Sequence, residues 1–522
     1  MTTFNITEVY TSKYAGGKDT KYTPMVGEWY RLTAEFDVVG TPKAPYPVDF
    51  HMADRWATVE MSDLTPGHKR VSQSFFLPLD GPIPWDVDVD PYHYADGVDP
   101  VKSPIPHTFP DIYGGGTSQK VRIGRSAFAL TKAARKGTFE PAPPPTSIDY
   151  YDARTALANQ SLAVTFPTGP NVERMVLMFG RPSSDGWQTV ESATCSVQWG
   201  AGSATLTQRG VDNPSHYPVY FWDHASLPPK ALSATATYGL TLRNVRVDRA
   251  KLRSVTWKQL DDARKAQPFA FYASPEAVIE SNDAKVAAFV HDTLGTGYRQ
   301  EMTPYDAARK LFQAVLGHIT YYYPQPGQPD LRPTTAKGML EKGFGDCGGF
   351  SILLVALFRN IGFAARTTCG AWTGLDAGHC WCELWFPGHG WVVCDGSVGN
   401  GASESGEFAY YFGIIPDLNL RFAPMRGNTF DVGDVETSWL QGPYEHAFGE
   451  THEKSVSGHT LVLEHLHLKV GGGTARFVSL DVVGDVVQLA AHRCRCAEHG
   501  GFRSPRQLRV RQPLRPLEPS PR

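Results

Sequence analysis

The stretch Gly345–Ser397 limits what this chain can fold into more than any other part of it. It reads GDCGGFSILLVALFRNIGFAARTTCGAWTGLDAGHCWCELWFPGHGWVVCDGS. Residues 347–361 are apolar on nearly every helical face, so the run predicts a buried helix rather than a surface one. Gly362 is its C-terminal stop. Residues 363–372, 379–386 and 391–395 read as strands, and Pro387-Gly388-His389-Gly390 is the turn between the last two. A buried helix followed by an antiparallel hairpin gives an α+β core, with the helix packed on the sheet.

Three residues in this core suit nucleophilic chemistry. Cys347 falls at the first turn of the predicted helix, where unpaired N–H groups and the dipole favour a thiolate. His379 would accept its proton and remain as an imidazolium partner. Asp395 would bond the far ring nitrogen and fix the tautomer. The turn returns Asp395 beside His379 on a neighbouring strand, so only the contact between Cys347 and His379 is long-range. Gly348 and Gly349 are expected to leave the nucleophile open to a carbonyl. Asp346 reads as the helix N-cap.

These residues carry a resemblance. Gly345-Asp346-Cys347, Ala356-Leu357, Arg359, Gly362, Ala365-Arg366, His379/Trp381/Glu383, Gly390-Trp391 and Asp395 follow in order the pattern of the transglutaminase-like superfamily, a papain-related group of thiol acyl-transfer enzymes. The resemblance covers roughly residues 270–400. It implies a papain-like transglutaminase core with Cys347, His379 and Asp395 as catalytic residues. It also implies attack on amide bonds of a protein or peptide through a thioester, with no cofactor and no metal. The product class stays open between hydrolysis, as in a thiol amidase or peptidase, and transfer to an amine, as in a protein-glutamine acyltransferase. The alternative is an inactive interaction module that keeps the fold. One departure is Gly396, where the family often has proline; it could loosen the following loop.

The remaining polar and thiol residues have plainer readings. Glu383 and Arg366 suit a structural ion pair. Cys369, Cys380, Cys382 and Cys394 lie on the predicted strands without the Cys-x₂₋₄-Cys spacing of zinc sites, so core packing is expected. Tyr321–Tyr323 and Phe350 could line the cleft, though packing is the simpler role. The backbone N–H of Cys347 is the natural first oxyanion donor.

Elsewhere the chain reads as β-rich. Among 522 residues, 50 glycines and 40 prolines punctuate short alternating runs. Residues 1–145 suggest a β-sandwich with a long Pro- and Asp-rich loop at 83–117. The acidic run inside that loop lacks EF-hand spacing and is expected to be solvated. After a proline-rich linker, 148–260 suggests a second sandwich. The catalytic domain is expected over 265–490, with helices from Ser274 to about 293 and after Thr303-Pro304, and a C-terminal β extension. His465 and His467 suit a strand surface. An Arg- and Pro-rich tail over 497–522 reads as disordered.

A net charge of −3 without a basic stripe excludes nucleic acid as an expected partner. No apolar run is long enough for a transmembrane helix. The N-terminus lacks the charged and apolar regions of a signal peptide. The expectation is therefore a cytoplasmic chain, or a secreted one if the true start lies upstream. Oligomeric state leaves no mark in the sequence.

Overall fold

The computed structural model describes residues 2–463 apart from 77–82, 97–105, 108–121, 124–132, 166–173, 210–216, 225–230, 373–377, 402–410, 439–443, 449–453 and shorter interruptions. The expectations for the tail and for His465 and His467 lie outside the described residues.

Alternation builds the N-terminal part. In Trp29–Val39 the residues Tyr30, Leu32, Ala34, Phe36 and Val38 are buried, and the residues between them face outward or meet neighbouring strands. This strand sits in a four-stranded sheet with Lys18–Lys21, Thr3–Ala15 and Gly67–Phe76. A second sheet runs Ala134–Phe139, Ile83–Val89, Tyr46–Met52, Arg55–Met61. Leu32, Phe36, Phe50 and Val87 from both sheets share one core. The expected loop at 83–117 therefore begins with a strand instead. Val87 and Val89 point inward while Asp86 alternates with them, a period-2 signal that the acidic residues mask.

The second sandwich follows the same rule. Along Ala231–Val247 the residues Leu232, Ala234, Ala236, Tyr238, Leu240 and Leu242 are buried. Its sheets are completed from far along the chain. Lys454–Leu463 pairs with Ile148–Thr165, and Tyr444–Phe448 pairs with Arg174–Gly180, both antiparallel. The C-terminal strands expected to extend the catalytic domain thus complete the second sandwich.

We number the elements of the remaining core α1 (Pro304–His318), α2 (Ala336–Lys342), α3 (Cys347–Ile361), β1 (Ala365–Trp372), β2 (Gly378–Phe386), β3 (Gly390–Cys394) and β4 (Arg421–Arg426). The sheet order is β3-β2-β1-β4, all antiparallel, and α3 packs on β1 and β2. Thr303 caps α1 with Pro304 at its first position, as expected. The earlier helix is shorter than expected: Asp283 caps Ala284–Leu294, and the residues from Ser274 form turns.

In α3 every residue but Asn360 is buried, which accounts for its lack of a polar face. Gly362, at φ 111°, closes it in a left-handed conformation that favours glycine. Gly349 has a packing role. A Cβ there would lie 2.5 Å from Met339 Sδ on α2, so the residue lets α2 approach α3 rather than opening the nucleophile. Gly370 does the same for β4, where a Cβ would lie 1.7 Å from the Phe422 carbonyl oxygen.

The second sandwich and this core share one hydrophobic cluster. The segment Ser183–Gln188 meets the sheet face opposite α3. Gln188 donates to the Ala423 carbonyl and accepts from the Ala423 amide, each at 3.0 Å, in place of a strand neighbour. Among the described residues no helix is long and apolar enough to cross a membrane.

Candidate active site

The N-terminus of α3 is built by Asp346. Its side chain accepts from the Gly349 amide at 3.0 Å, the N-cap interaction expected. Its other oxygen accepts from Arg332 Nη1 at 2.5 Å, and that guanidinium lies 4.6 Å from the centre of the Tyr323 ring. A short parallel pairing of Thr320–Tyr321 with Phe344–Gly345 leads into the helix. Cys347 therefore starts α3 at a fixed backbone position, 8% exposed. Phe350 is core, as the packing reading had it, while Tyr321 and Tyr323 are 44% and 42% exposed.

His379 stands near the start of β2, and Asp395 follows the last residue of β3. The hairpin brings His379 Nε2 to 2.8 Å from Asp395 Oδ2. Cys347 hydrogen-bonds His379, which leaves Nδ1 as the ring nitrogen on the thiol side. The structure thus brings together all three residues named from the sequence. Trp381, two residues on, stacks on the imidazole with ring centres 5.8 Å apart.

Asp395 is fully buried and accepts from four groups. Oδ1 takes Ser397 Oγ and the Val398 amide, each at 3.0 Å. Oδ2 takes His379 and Arg421 Nη1, the latter at 2.5 Å. Arg421 is itself buried and forks onto Asp417 at 2.9–3.0 Å. Burial alone would raise the Asp395 carboxyl, but the charges of His379 and Arg421 outweigh it and hold it well below the usual carboxylate range. Burial likewise works against a charged His379, yet Asp395 and then Cys347 lift it to about 9.

Cys347 differs from expectation. Its thiol is raised well above the ordinary value, first by its hydrogen bond with Cys380 and then by burial, with His379 opposing. The helix N-terminus and the histidine do not overcome a dry site that holds a second thiol. Cys369 and Cys380 are buried with it as a separate cluster, their sulfurs 3.0 Å apart. Cys382 and Cys394 are buried and free, as core packing requires.

Glu383 and Arg366 form the expected ion pair, within a larger network. Glu383 accepts from Arg366 Nε at 2.8 Å and from Trp187 Nε1 at 2.8 Å, and lies 3.4 Å from Arg426. Arg366 and Arg426 both also bond Asp185. The network ties the sheet to the second sandwich.

The sequence reading missed Arg421, Asp417 and Trp187. The available signal was charge in an apolar setting: IIPDLNLRFAP carries Asp417 and Arg421 four positions apart in a run that is otherwise apolar except for Asn419. Among the described residues, one group of potential metal ligands comes together: His51, Asp86 and Asp88 of the N-terminal sandwich, their ligand atoms within 4.8 Å.

The arrangement is a thiol at a helix N-terminus beside an imidazole held by a buried carboxylate, on a helix packed against an antiparallel sheet. Residues 292–396 match the transglutaminase-like superfamily, and the chain carries a domain of that superfamily. Three solved structures are similar to it at low identity. One is a candidate cysteine protease from Cytophaga hutchinsonii, at 13% identity over 60% of this chain and 100% of that one, with a TM-score of 0.39. Another is the periplasmic domain of TgpA from Pseudomonas aeruginosa, at 13% over 48% and 91%, with a TM-score of 0.24. A third is a candidate protease from Parabacteroides distasonis, at 9% over 75% and 66%, with a TM-score of 0.20. No curated protein matches the chain.

Proposed function

We propose that this protein is a thiol acyl-transfer enzyme that cleaves amide bonds of a protein or peptide through a thioester on Cys347. The observation that carries the reading is the buried His379–Asp395 pair placed against a cysteine at a helix N-terminus. In the first step the neutral form of His379, reached as pH rises toward about 9, takes the proton of Cys347 Sγ at Nδ1 while the sulfur adds to the amide carbonyl. The backbone N–H of Cys347 faces the developing oxyanion. His379 then protonates the leaving amine, and the thioester remains. Water or an amine attacks next, with His379 again as base. Asp395 exchanges no proton; it keeps Nε2 protonated and the ring oriented.

A second reading, an interaction module without turnover, is favoured by the burial and proton retention of Cys347. One experiment separates the two. A panel of glutamine-containing and other peptides is incubated with the protein, with and without a primary amine, and ammonia, cleavage and amine conjugates are measured. Turnover that Cys347→Ala and His379→Ala abolish, and Asp395→Asn reduces less, supports the enzyme. Turnover persisting in Cys347→Ala defeats the mechanism. A panel without turnover, together with an inert Cys347, favours the module.

A further inference from the structure

We propose that Cys380 and Cys369 form an oxidation-linked disulfide relay behind Cys347, which takes the first oxidation and is returned as a thiol. The register of β1 and β2 sets Cys369 directly opposite Cys380, and their sulfurs are 3.0 Å apart. A disulfide bond is about 2.05 Å long and spans Cα atoms roughly 4.4–6.8 Å apart. Directly opposed antiparallel residues lie at about 4.5–5.5 Å, so side-chain rotation closes the bond without moving a strand. Cys380 also touches Cys347, so one sulfur contacts both others. Exposure falls from 8% at Cys347 to 1% at Cys380 and Cys369, so an oxidant entering from solvent meets Cys347 first. Cys382 and Cys394 are also directly opposed but lie outside this cluster, and they serve as an internal comparison.

The oxidant is a hydroperoxide. Cys347 passes its proton to neutral His379, the thiolate attacks the terminal oxygen of the hydroperoxide, the O–O bond breaks, the leaving oxygen takes the proton from His379 and departs as an alcohol (or as water, from hydrogen peroxide), and Cys347 becomes a sulfenic acid. The thiol of Cys380 attacks that sulfur; the S–S bond forms, the S–O bond breaks, and water departs with the Cys380 proton. Cys369 then attacks Sγ of Cys380, and Cys347 leaves and takes up the Cys369 proton. The net change removes two electrons and two protons from Cys369 and Cys380 and reduces the peroxide to alcohol and water. The nucleophile is thereby diverted from irreversible sulfinic acid. The relay requires Cys347 to be oxidised first but requires no amide turnover, so its failure is distinguishable from failure of the proposed reaction.

The test treats the folded full chain with hydrogen peroxide, alkylates the remaining thiols and maps peptides by mass spectrometry. In the unsubstituted protein a Cys369–Cys380 disulfide should accumulate while Cys347 labelling falls by less than about twofold. Cys369→Ser should trap a Cys347–Cys380 disulfide, with loss of Cys347 labelling that dithiothreitol restores. Cys380→Ser should convert Cys347 to sulfinic acid. Sulfinic acid at Cys347 in the unsubstituted protein, with Cys369 and Cys380 still free, would overturn the relay. So would a Cys382–Cys394 disulfide as the main product. The unsubstituted map decides the matter even where a variant fails to fold.

Discussion

Arg421 and His379 converge on a single oxygen atom, Oδ2 of Asp395, at 2.5 and 2.8 Å. The other carboxylate oxygen is held by Ser397 and Val398, so Asp395 has almost no freedom to rotate. Arg421 in turn lies between two buried carboxylates, Asp395 and Asp417. Under the proposed function it is a positioning residue, acting on the imidazole through the carboxylate.

Replacing Arg421 by Met should therefore do two things. It leaves Asp395 and Asp417 buried without their cation, a change that costs about 3–5 kcal/mol. It also frees Asp395 to bind His379 alone, raising the imidazole further. Arg421→Lys keeps a charge but loses the fork onto Asp417, and should fall between Met and the parent. Thermal melting reads the first effect, and the pH profile of Cys347 alkylation reads the second. A melting temperature unchanged in Arg421→Met would refute this account of the network.

The titrating groups of the site set opposite edges on stability. His379 is raised to about 9. Its contribution is complete below the unfolded value of about 6.5 and is lost as pH rises through about 9. Asp395 is depressed, so its contribution is present above about 3.9 and is lost as pH falls. The alkaline loss from His379 amounts to about 3 kcal/mol. Urea midpoints at about pH 6 and about pH 9.5 should show the higher pH to be weaker, and His379→Gln should flatten the difference. An equal difference in the His379→Gln protein would assign it elsewhere.

The sequence carried the core of the site because each part had a local signature. The all-apolar run of α3 announced its burial, and the β2–β3 turn announced the contact between His379 and Asp395. Arg421 had only a fainter one, its charge beside Asp417 in an apolar run. Its strand pairs at the far side of β1, and Asp395, the partner that ties it to the site, lies on another element. The position of Cys380 beside Cys347 was equally hidden: strand alternation places it on the face opposite His379, and only the docking of α3 onto that face brings the two thiols together. The C-terminal strands were legible as strands, but pairing of Lys454 with Thr165 and of Phe448 with Arg174 joins segments hundreds of residues apart, which no local pattern reports.

Glu383 offers a test of the joint between sandwich and sheet. It is fully buried and its carboxylate meets Arg366, Arg426 and Trp187. Burial would raise its pKa, but Arg426 and Arg366 outweigh it and keep the group ionised. Glu383→Gln retains the shape and removes the charge, leaving two buried guanidiniums dependent on Asp185. The expected cost is about 3–5 kcal/mol, seen as a lower denaturation midpoint. Because one hydrophobic cluster spans the two parts, loss should appear as a single transition; two separate transitions would show that the joint is weaker than its contacts imply.

Cys380 should control how readily Cys347 ionises. Its hydrogen bond is the leading cause of the raised Cys347 thiol, ahead of burial, while His379 pulls the other way. Alkylation of Cys347 in the parent protein should accordingly climb only on the alkaline side of an ordinary thiol. Cys380→Ala removes the opposing thiol and leaves His379 in place, so the climb should begin at lower pH. A tenfold gain in thiolate at fixed pH corresponds to about 1.4 kcal/mol, and about that much is expected from losing one buried hydrogen bond. Cys382→Ala, equally buried on the same strand but outside the cluster, should leave the profile where it was. A gain of the same size in both variants would mean that looser packing, not the Cys380 contact, governs access to Cys347.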